Sequence, residues 1–275
     1  MKNKLLTLSA AVAALTVGFM SLQSQPVFAF DDDSHDWGKY QAGDIRSGYT
    51  YRSAETRSLQ DDEFENPGMI GVETGEELWS EVDGTEGKSC ASCHEDAAES
   101  MATTGATFPK FNEATGKPIN IEQRINLCRT DNMGAEPYKW EKTEMLAMTA
   151  YVKNQSLDQP VNVSIDGPMA PFFEAGKEFY YERRGQLDMA CSNCHEDYAG
   201  EMIRADHLSQ GQINGFPTYR FKWQNLGSAH RRFRGCNKNV RAKPYGYGSD
   251  EYVNLELYLT WRGRGLPVET PAVRN

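Results

Sequence analysis

The sequence predicts a mainly α-helical protein made of two tandem units of similar design, preceded by an N-terminal extension. The first observation behind this is an internal repeat, in which the segment GEELW at 75–79 returns 101 residues later as GKEFY at 176–180. The second is a stripe of Met145, Met148 and Val152 at the spacing of one buried helix face. A chain of 275 residues has room for two such units.

The N-terminus has the pattern of an export signal. Lys2 and Lys4 precede an apolar run over residues 5–20, and small residues lead up to Ala29. The run is shorter than the ~20 apolar residues of a membrane span. We therefore expect residues 1–29 to be a signal peptide that is cleaved near Ala29. No later stretch is apolar enough to cross a bilayer, so the mature chain is expected to be periplasmic with no membrane span.

The charge of the chain excludes two classes of partner. Its formal net charge is −10, and loss of residues 1–29 removes two lysines and no acids, which leaves −12. Such an acidic protein is not suited to nucleic acid or to an anionic membrane. The polar segment 30–70 is predicted to be an extension that wraps over its own unit, docks a partner or stays on the surface.

Two copies of the motif C-x-x-C-H lie in the same register as the repeat. The motif residues are Cys90, Cys93 and His94 in the first unit, and Cys191, Cys194 and His195 in the second. This is the attachment motif of c-type haem, in which the cysteines form thioethers and the histidine ligates the iron. The sequence therefore predicts two covalently bound haem c groups, which in bacteria are attached outside the cytoplasm.

The repeat continues beyond the haem motifs. Phe108-Pro109 returns as Phe216-Pro217, and each unit then has an arginine followed four residues later by a cysteine. Each unit thus runs helix, haem motif, loop, cysteine, helix, an order that resembles the small cytochrome c fold. Thr74-x-x-Glu77 predicts a capping box at the start of the first helix. The breakers around Pro160 and Gly167 mark a linker. The predicted divisions are an extension at 30–70, domain 1 at 71–158, a linker at 159–171 and domain 2 at 172–275.

Two cysteines, Cys128 and Cys236, remain outside the motifs. In an oxidising compartment a disulfide between them is the default. The repeat argues against it, because equivalent points of two separate domains rarely come within the ~7 Å between Cα atoms that a disulfide allows. Small cytochromes c usually place the second iron ligand in this part of the chain, so Cys128 and Cys236 are predicted to be those ligands. Methionine ligation is the rival hypothesis, with four candidates: Met133, Met145, Met148 and Met202.

The surroundings of Cys236 are unusually cationic for this chain. The run 230–239, HRRFRGCNKN, includes Arg232 four residues before the cysteine. Guanidinium groups bind oxyanions, and nearby cations stabilise a thiolate and raise its reactivity. The other interpretation is that these charges balance haem propionates or form a solvated loop. Cys128 has fewer cations nearby, so Cys236 is the stronger candidate for catalysis.

The two haem motifs, the cysteine that follows each, and the segment RFRGCN at 232–237 resemble the SoxA family, the dihaem subunits of the SoxAX cytochromes of thiosulfate oxidation. The resemblance implies an L-cysteine S-thiosulfotransferase that joins thiosulfate to a cysteine of the carrier SoxYZ and releases two electrons through haem. It implies a monohaem partner, SoxX. It also implies that Cys236 ligates the second haem and accepts sulfur, as a thiol or a persulfide, and that Arg232 holds the thiosulfate oxyanion.

Two other classes of protein share the dihaem pattern. A dihaem cytochrome c peroxidase requires an iron site open to peroxide, and a pure electron-transfer cytochrome requires no reactive cysteine. The resemblance gives the first haem, held by His94 and Cys128, no assigned part in the reaction. His35, His207 and His230 receive no function from the sequence.

Overall fold

The computed structural model describes residues 35–275 of the chain, and these residues are mainly helical, as predicted. The predicted signal peptide at 1–29 lies outside the described residues. Within residues 35–275, no helix is both long enough and apolar enough to cross a membrane.

The N-terminal segment lies against the C-terminal end of the chain. It contains a short hairpin of β1 (Gln41–Ala42) and β2 (Ile45–Arg46), followed by helix α1 (Ala54–Asp61). The Ser47 hydroxyl bonds the buried carboxylate of Glu269, and the Gln60 amide donates to the same carboxylate at 3.0 Å. The extension therefore covers the second half of the molecule, whereas the sequence suggested its own unit, a partner or bare surface.

The first half of the fold is organised by a pair of long helices, α2 (Met69–Ser80) and α7 (Thr143–Asn154), which pack against each other. The haem motif, a hairpin and a further helix lie between them along the chain. These elements are α3 (Ala91–His94), α4 (Ala97–Ser100), α5 (Thr104–Thr107), β3 (Lys110–Asn112), β4 (Lys117–Ile119) and α6 (Ile121–Cys128). The helix α6 carries Cys128 at its end and continues into one π-helical turn.

The predicted capping box at Thr74 is wrong. Helix α2 already begins at Met69, so Thr74 lies in its interior, and its hydroxyl donates to the Ile70 carbonyl at 2.8 Å. A threonine hydroxyl inside a helix can donate a hydrogen bond to a carbonyl of the preceding turn. The Thr-x-x-Glu motif alone therefore does not identify the first residue of a helix. A capping box does occur at Asn120 and Gln123, where α6 begins.

The second half repeats this organisation around α8 (Ala170–Tyr181) and α10 (Asp250–Arg262). The elements between them are β5 (Met202–Ile203), β6 (Asp206–His207), β7 (Thr218–Arg220), β8 (Asn225–Gly227) and α9 (Ala229–Asn239). The last strand, β9 (Ala272–Arg274), runs parallel to β7 and gives a three-stranded sheet in the order β8-β7-β9. Strand β9 has no counterpart in the first half.

Equivalent glycines let both helix pairs approach closely. A Cβ added to Gly75 of α2 would lie 2.5 Å from the Cβ of Tyr151 on α7. At Gly176 of α8 an added Cβ would lie 3.0 Å from the Cβ of Tyr258 on α10, and nearer still to the Asn254 carbonyl oxygen. The repeated sequence positions thus occupy equivalent packing positions, which explains why both copies have glycine there.

The segment predicted as a linker makes buried contacts with the C-terminal part of the chain. The Val161 amide donates to the Leu266 carbonyl at 2.8 Å, and the Val268 amide donates to the Gln159 carbonyl at 2.9 Å. Val161 is 3% exposed. Helix α8 begins at Ala170, inside the predicted linker range. The two halves are therefore joined by a segment with its own buried contacts, because apolar residues follow the breaker Pro160.

The close helix crossing predicts a large effect of Gly176→Ala. The added methyl group would overlap the Asn254 carbonyl, and we expect the free energy of unfolding to fall by about 3 kcal/mol. Denaturant unfolding of the haem-loaded protein measures it. Gly246→Ala is the control, because Gly246 lies outside both helix crossings and has nothing within 4 Å of an added Cβ. Equal stability of Gly176→Ala and the wild type would contradict the crossing.

Candidate functional site

Helix α9 places Arg232 and Cys236 one turn apart on one side of the second half. The helix begins after Ser228, whose hydroxyl accepts from the Arg231 amide at 3.1 Å and bonds the Glu141 carboxylate. Strand β8 ends at Gly227, immediately before this cap, so the hairpin fixes where α9 starts. The position of Cys236 is therefore set by the β7-β8 hairpin and the cap.

The His195 ring is held in one orientation by the loop that follows the haem motif. Its Nδ1 lies 2.7 Å from the Ser209 carbonyl oxygen, which requires the proton on Nδ1. A Cβ added to Gly211 would lie 2.8 Å from the His195 ring, so this loop packs directly against the imidazole. Because Nδ1–H is bonded to a carbonyl, Nε2 is the ring nitrogen left for a second partner, and it is the atom that would ligate iron once its own proton is lost.

Cys236 lies beside this histidine, in a cationic environment. Burial acts to raise the pKa of the Cys236 thiol, but Arg232, a hydrogen bond with His195 and the charge of Arg220 outweigh burial, and the pKa is lowered to about 7. A thiol with such a pKa is partly thiolate at neutral pH, and thiolate is both the nucleophile and the metal-binding form. The structure thus brings His195, Arg232 and Cys236 together.

The motif cysteines of the second half border polar groups that lack partners. Burial, with a smaller contribution from Cys236, raises the pKa of the Cys191 thiol. Within the described residues, Tyr180 Oη and Arg184 Nε are buried without a hydrogen-bond partner, and both interact electrostatically with Cys191. An open cleft of 520 Å³ beside His195 is lined by Tyr181, Glu196, Gln210, Trp261 and Arg262, among others. These residues fit a covalently bound haem with polar edge groups.

The equivalent cysteine of the first half has a different environment. Burial raises the pKa of the Cys128 thiol, and Arg124 only partly opposes it. Arg129, the residue after Cys128, bonds Asp83 at 2.6 Å and stacks on Tyr138 at 3.6 Å. Its charge is thereby already paired. Since the two cysteines hold equivalent positions, the difference in pKa comes from the neighbouring charges.

The alternatives for the spare cysteines can be compared with the structure. All six cysteines, which lie within the described residues, are free, so Cys128 and Cys236 form no disulfide. Met145 and Met148 are each 1% exposed on α7, as expected of a helix core. Met202 is 48% exposed on the β5-β6 hairpin. The roles of the cysteines as iron ligands remain predictions.

His230, which received no function from the sequence, belongs to a buried cluster of ionisable groups. Its Nε2 lies 3.0 Å from Glu256 Oε2, and its Nδ1 accepts from the Gly248 amide at 3.1 Å. Glu122 of the first half is 6% exposed and interacts with both residues, while Lys153 supplies a cation. The cluster joins the two halves at α6, α7, α9 and α10. His35 and His207 take no part in it; the His35 ring packs against Trp37 at a tilt of 60°, and His207 bonds the Gly200 carbonyl.

This cluster predicts a specific pH dependence of stability. Burial and the charge of Glu256 raise the pKa of Glu122 to about 7. A carboxyl whose pKa is raised on folding stabilises the fold at low pH, and that contribution is lost as the pH rises from about 4.5 to about 7. We expect Glu122→Gln to reduce this pH-dependent decrease in the free energy of unfolding by on the order of 2 kcal/mol. Unfolding measured from pH 5 to 8 tests this, with the exposed Glu144→Gln as control. Parallel profiles for the wild type and Glu122→Gln would contradict it.

Two cations near Arg232 were not identified from the sequence. Arg220 lies on β7, and Arg52 lies in the N-terminal segment. Both interact electrostatically with Arg232. Neither is close to Cys236 along the chain, and neither lies in a motif, so only the fold brings them to the site.

Comparison with known proteins identifies similar chains and one matching family model. A family model described as the SoxA/TsdA cytochrome c domain matches residues 74–161. The L-cysteine S-thiosulfotransferase subunit SoxA of Pseudaminobacter salicylatoxidans is 55% identical over 230 residues, which cover 83% of this chain and 80% of that protein. The protein of the same name from Rhodovulum sulfidophilum is 50% identical over 232 residues, which cover 84% of this chain and 81% of that protein.

A solved structure matches over a similar range. The crystal structure of SoxXA from P. pantotrophus contains a chain that aligns with a TM-score of 0.81 at 49% sequence identity, covering 84% of this chain and 87% of that chain. Identity of this level over more than four fifths of the chain establishes common ancestry and a common fold, and on this basis the chain belongs to the SoxA family.

Proposed function

We propose that this chain is the haem-bearing subunit of an L-cysteine S-thiosulfotransferase, which joins thiosulfate to a cysteine of the carrier SoxYZ. In this reaction thiosulfate and the carrier thiol form a new S–S bond and release one proton and two electrons. The observation that carries the proposal is the position of the Cys236 thiol, beside His195 and Arg232 and with its pKa lowered to about 7. The names of the related proteins support the same activity.

We infer two cytochrome c domains, at 71–158 and 172–275, with one haem in each. The haem of the first would be attached to Cys90 and Cys93 and ligated by His94 and Cys128. The haem of the second would be attached to Cys191 and Cys194 and ligated by His195 and Cys236. The equivalent glycine crossings of the two helix pairs support this division. When bound, the haem groups would accept the electrons released by S–S bond formation.

The protein's own residues prepare the sulfur chemistry. Cys236 presents a thiolate at neutral pH because Arg232, His195 and Arg220 offset the cost of its burial. Arg232 would hold the sulfonate oxygens of thiosulfate with its planar fork of donors. The Ser209 carbonyl fixes the tautomer of His195 and so keeps Nε2 available. The sulfur transfer would then pass through Cys236, as a thiol or a persulfide.

The partners and location of the chain follow from the same proposal. A SoxXA structure is among the matches, and we infer a heterodimer with a monohaem SoxX subunit that receives the electrons. The SoxYZ carrier and thiosulfate would be substrates. Export to the periplasm, with cleavage near Ala29, would allow haem attachment at both motifs.

The test uses the heterodimer with thiosulfate, reduced SoxYZ and oxidised cytochrome c. We expect cytochrome c reduction only when thiosulfate and carrier are both present, with the carrier gaining the mass of one thiosulfate group. Oxidation of reduced cytochrome c by peroxide, with no change in carrier mass, would instead assign the chain to the peroxidase class. Electron transfer that is indifferent to thiosulfate would assign it to the electron carriers.

A further inference from the structure

Three arginines from three separate segments meet near Cys236. Arg52 comes from the N-terminal segment, Arg220 from β7 and Arg232 from α9. Backbone carbonyls hold the first two in place, since Arg52 Nη2 donates to the His207 carbonyl at 2.9 Å and Arg220 Nε donates to the Asn275 carbonyl at 2.8 Å. Each of these two guanidinium groups is thus anchored by a backbone carbonyl.

The cluster holds more positive than negative charge. Asp206 is shared between Arg220, at 3.5 Å, and the exposed Lys222. Within residues 35–275, Arg232 has no carboxylate partner, and Arg52 Nε is buried without any hydrogen-bond partner. One carboxylate therefore serves several cations. Buried donors without partners are rare in native proteins and indicate a missing acceptor.

Burial and neighbouring cations destabilise the charged forms of two of these arginines. Burial lowers the pKa of Arg52 to about 10, and Arg274 acts in the same direction. Burial also lowers the pKa of Arg220 to about 10, and Arg232 adds to this effect. Arg52 and Arg220 stay cationic at neutral pH and interact with Arg232, so the folded chain brings like charges together. A bound anion would relieve the repulsion.

The cluster lies at the reactive sulfur. Arg232 precedes Cys236 by one turn of α9, and the Trp223 ring packs against both Arg220, at 5.1 Å, and Arg231 of the same helix, at 4.4 Å. Arg52 bonds the His207 carbonyl, next to the Asp206 carboxylate that Arg220 approaches. A dianion bound among them would therefore be adjacent to Cys236. Several guanidinium groups that converge from different directions suit a tetrahedral sulfonate better than a single arginine does.

We propose that Arg52 and Arg220 complete, with Arg232, the subsite that binds the sulfonate end of thiosulfate, so that the N-terminal segment is part of the active site. The inference rests on the proposed function only in taking thiosulfate as the ligand. The shared chemistry is oxyanion binding, for which the other source is a haem propionate. Arg52 and Arg220 are binding residues in this scheme and take part in no bond-making step.

Calorimetric titration of thiosulfate tests the subsite without turnover. The oxidised, haem-loaded heterodimer is titrated at constant ionic strength, with no carrier and no electron acceptor. We expect the Kd to rise by about tenfold in Arg52→Gln and in Arg220→Gln, because each loses charge-assisted hydrogen bonds to the anion. Arg52→Lys keeps the charge and is expected to fall between Arg52→Gln and the wild type. Lys39→Gln is the matched control. It also removes one cation of the N-terminal segment, but Lys39 pairs with Asp158 at 2.7 Å and lies outside the arginine cluster.

The outcomes separate the possible anions. Thiosulfate affinity of Arg52→Gln equal to that of the wild type overturns the proposal, as does the absence of measurable binding by the wild type. If the arginines serve a haem propionate, thiosulfate affinity stays intact while the haem absorbance and the thermal midpoint change. If Arg52→Gln does not fold, Arg52→Lys replaces it in the test. Equal thiosulfate affinities of Arg52→Lys and the wild type would then overturn the proposal. The carrier assay reports on the proposed function separately, because binding is measured without transfer.

Discussion

Replacement of Cys236 by alanine is expected to abolish thiosulfate-dependent reduction of cytochrome c in the presence of the carrier. The proposed transfer needs a nucleophilic sulfur at this position, and loss of a nucleophile lowers turnover by about 10⁴-fold or more. The haem would stay attached through Cys191 and Cys194, so the variant should keep its haem content. Steady-state assays of the heterodimer, normalised to haem absorbance, measure the effect.

Cys128→Ala is the matched control for this prediction. It removes the equivalent cysteine of the first half, whose pKa burial raises and whose neighbour Arg129 is already paired with Asp83. We expect this variant to retain most of its turnover. Undiminished turnover in Cys236→Ala would rule out the proposed role of Cys236, and equal losses in both variants would point to a general effect of thiolate loss on the haems.

Replacement of Arg232 by glutamine is expected to lower kcat/KM for thiosulfate by about 100-fold. Arg232 is the largest favourable influence on the Cys236 thiolate and, in the proposal, holds the substrate oxyanion. Both effects act on the same reaction, so kcat should fall and KM for thiosulfate should rise. Initial rates over a range of thiosulfate concentrations separate the two parameters.

Arg234→Gln provides the comparison on the same helix. The Arg234 guanidinium bonds the Tyr245 carbonyl and lies 4.7 Å from the Tyr247 ring, so it is already engaged with the protein. We expect kinetic constants close to those of the wild type. A similar loss in Arg234→Gln would show that the general positive charge of α9, rather than Arg232, supports the reaction.

Much of the fold could be predicted because the chain repeats itself. The glycines at 75 and 176 mark the helix crossings, and the offset between the two cysteines at 128 and 236 places both at equivalent points of the two halves. These are local signals in register with a known attachment motif. The capping box at Thr74 failed because a four-residue pattern can be satisfied inside a helix as well as at its end.

The parts that could not be predicted depend on contacts between distant segments. Arg52 is 184 residues from Cys236 in the sequence, and only the packing of the N-terminal segment on the second half brings it to the site. The same holds for Glu122 and His230, which share a buried cluster at the join between the halves. Neither the position of Arg52 nor the pairing of Glu122 with His230 produces a repeat or a motif spacing that can be recognised in the sequence.

Electron paramagnetic resonance of the oxidised heterodimer, with and without Cys236→Ala, tests whether the reactive sulfur of the second half is also an iron ligand. We expect low-spin signals of thiolate ligation from both haems of this chain in the wild type, and loss of one of the two sets in Cys236→Ala. Absence of a thiolate signal from the second haem of this chain in the wild type, or spectra that do not change in the variant, would contradict this ligation.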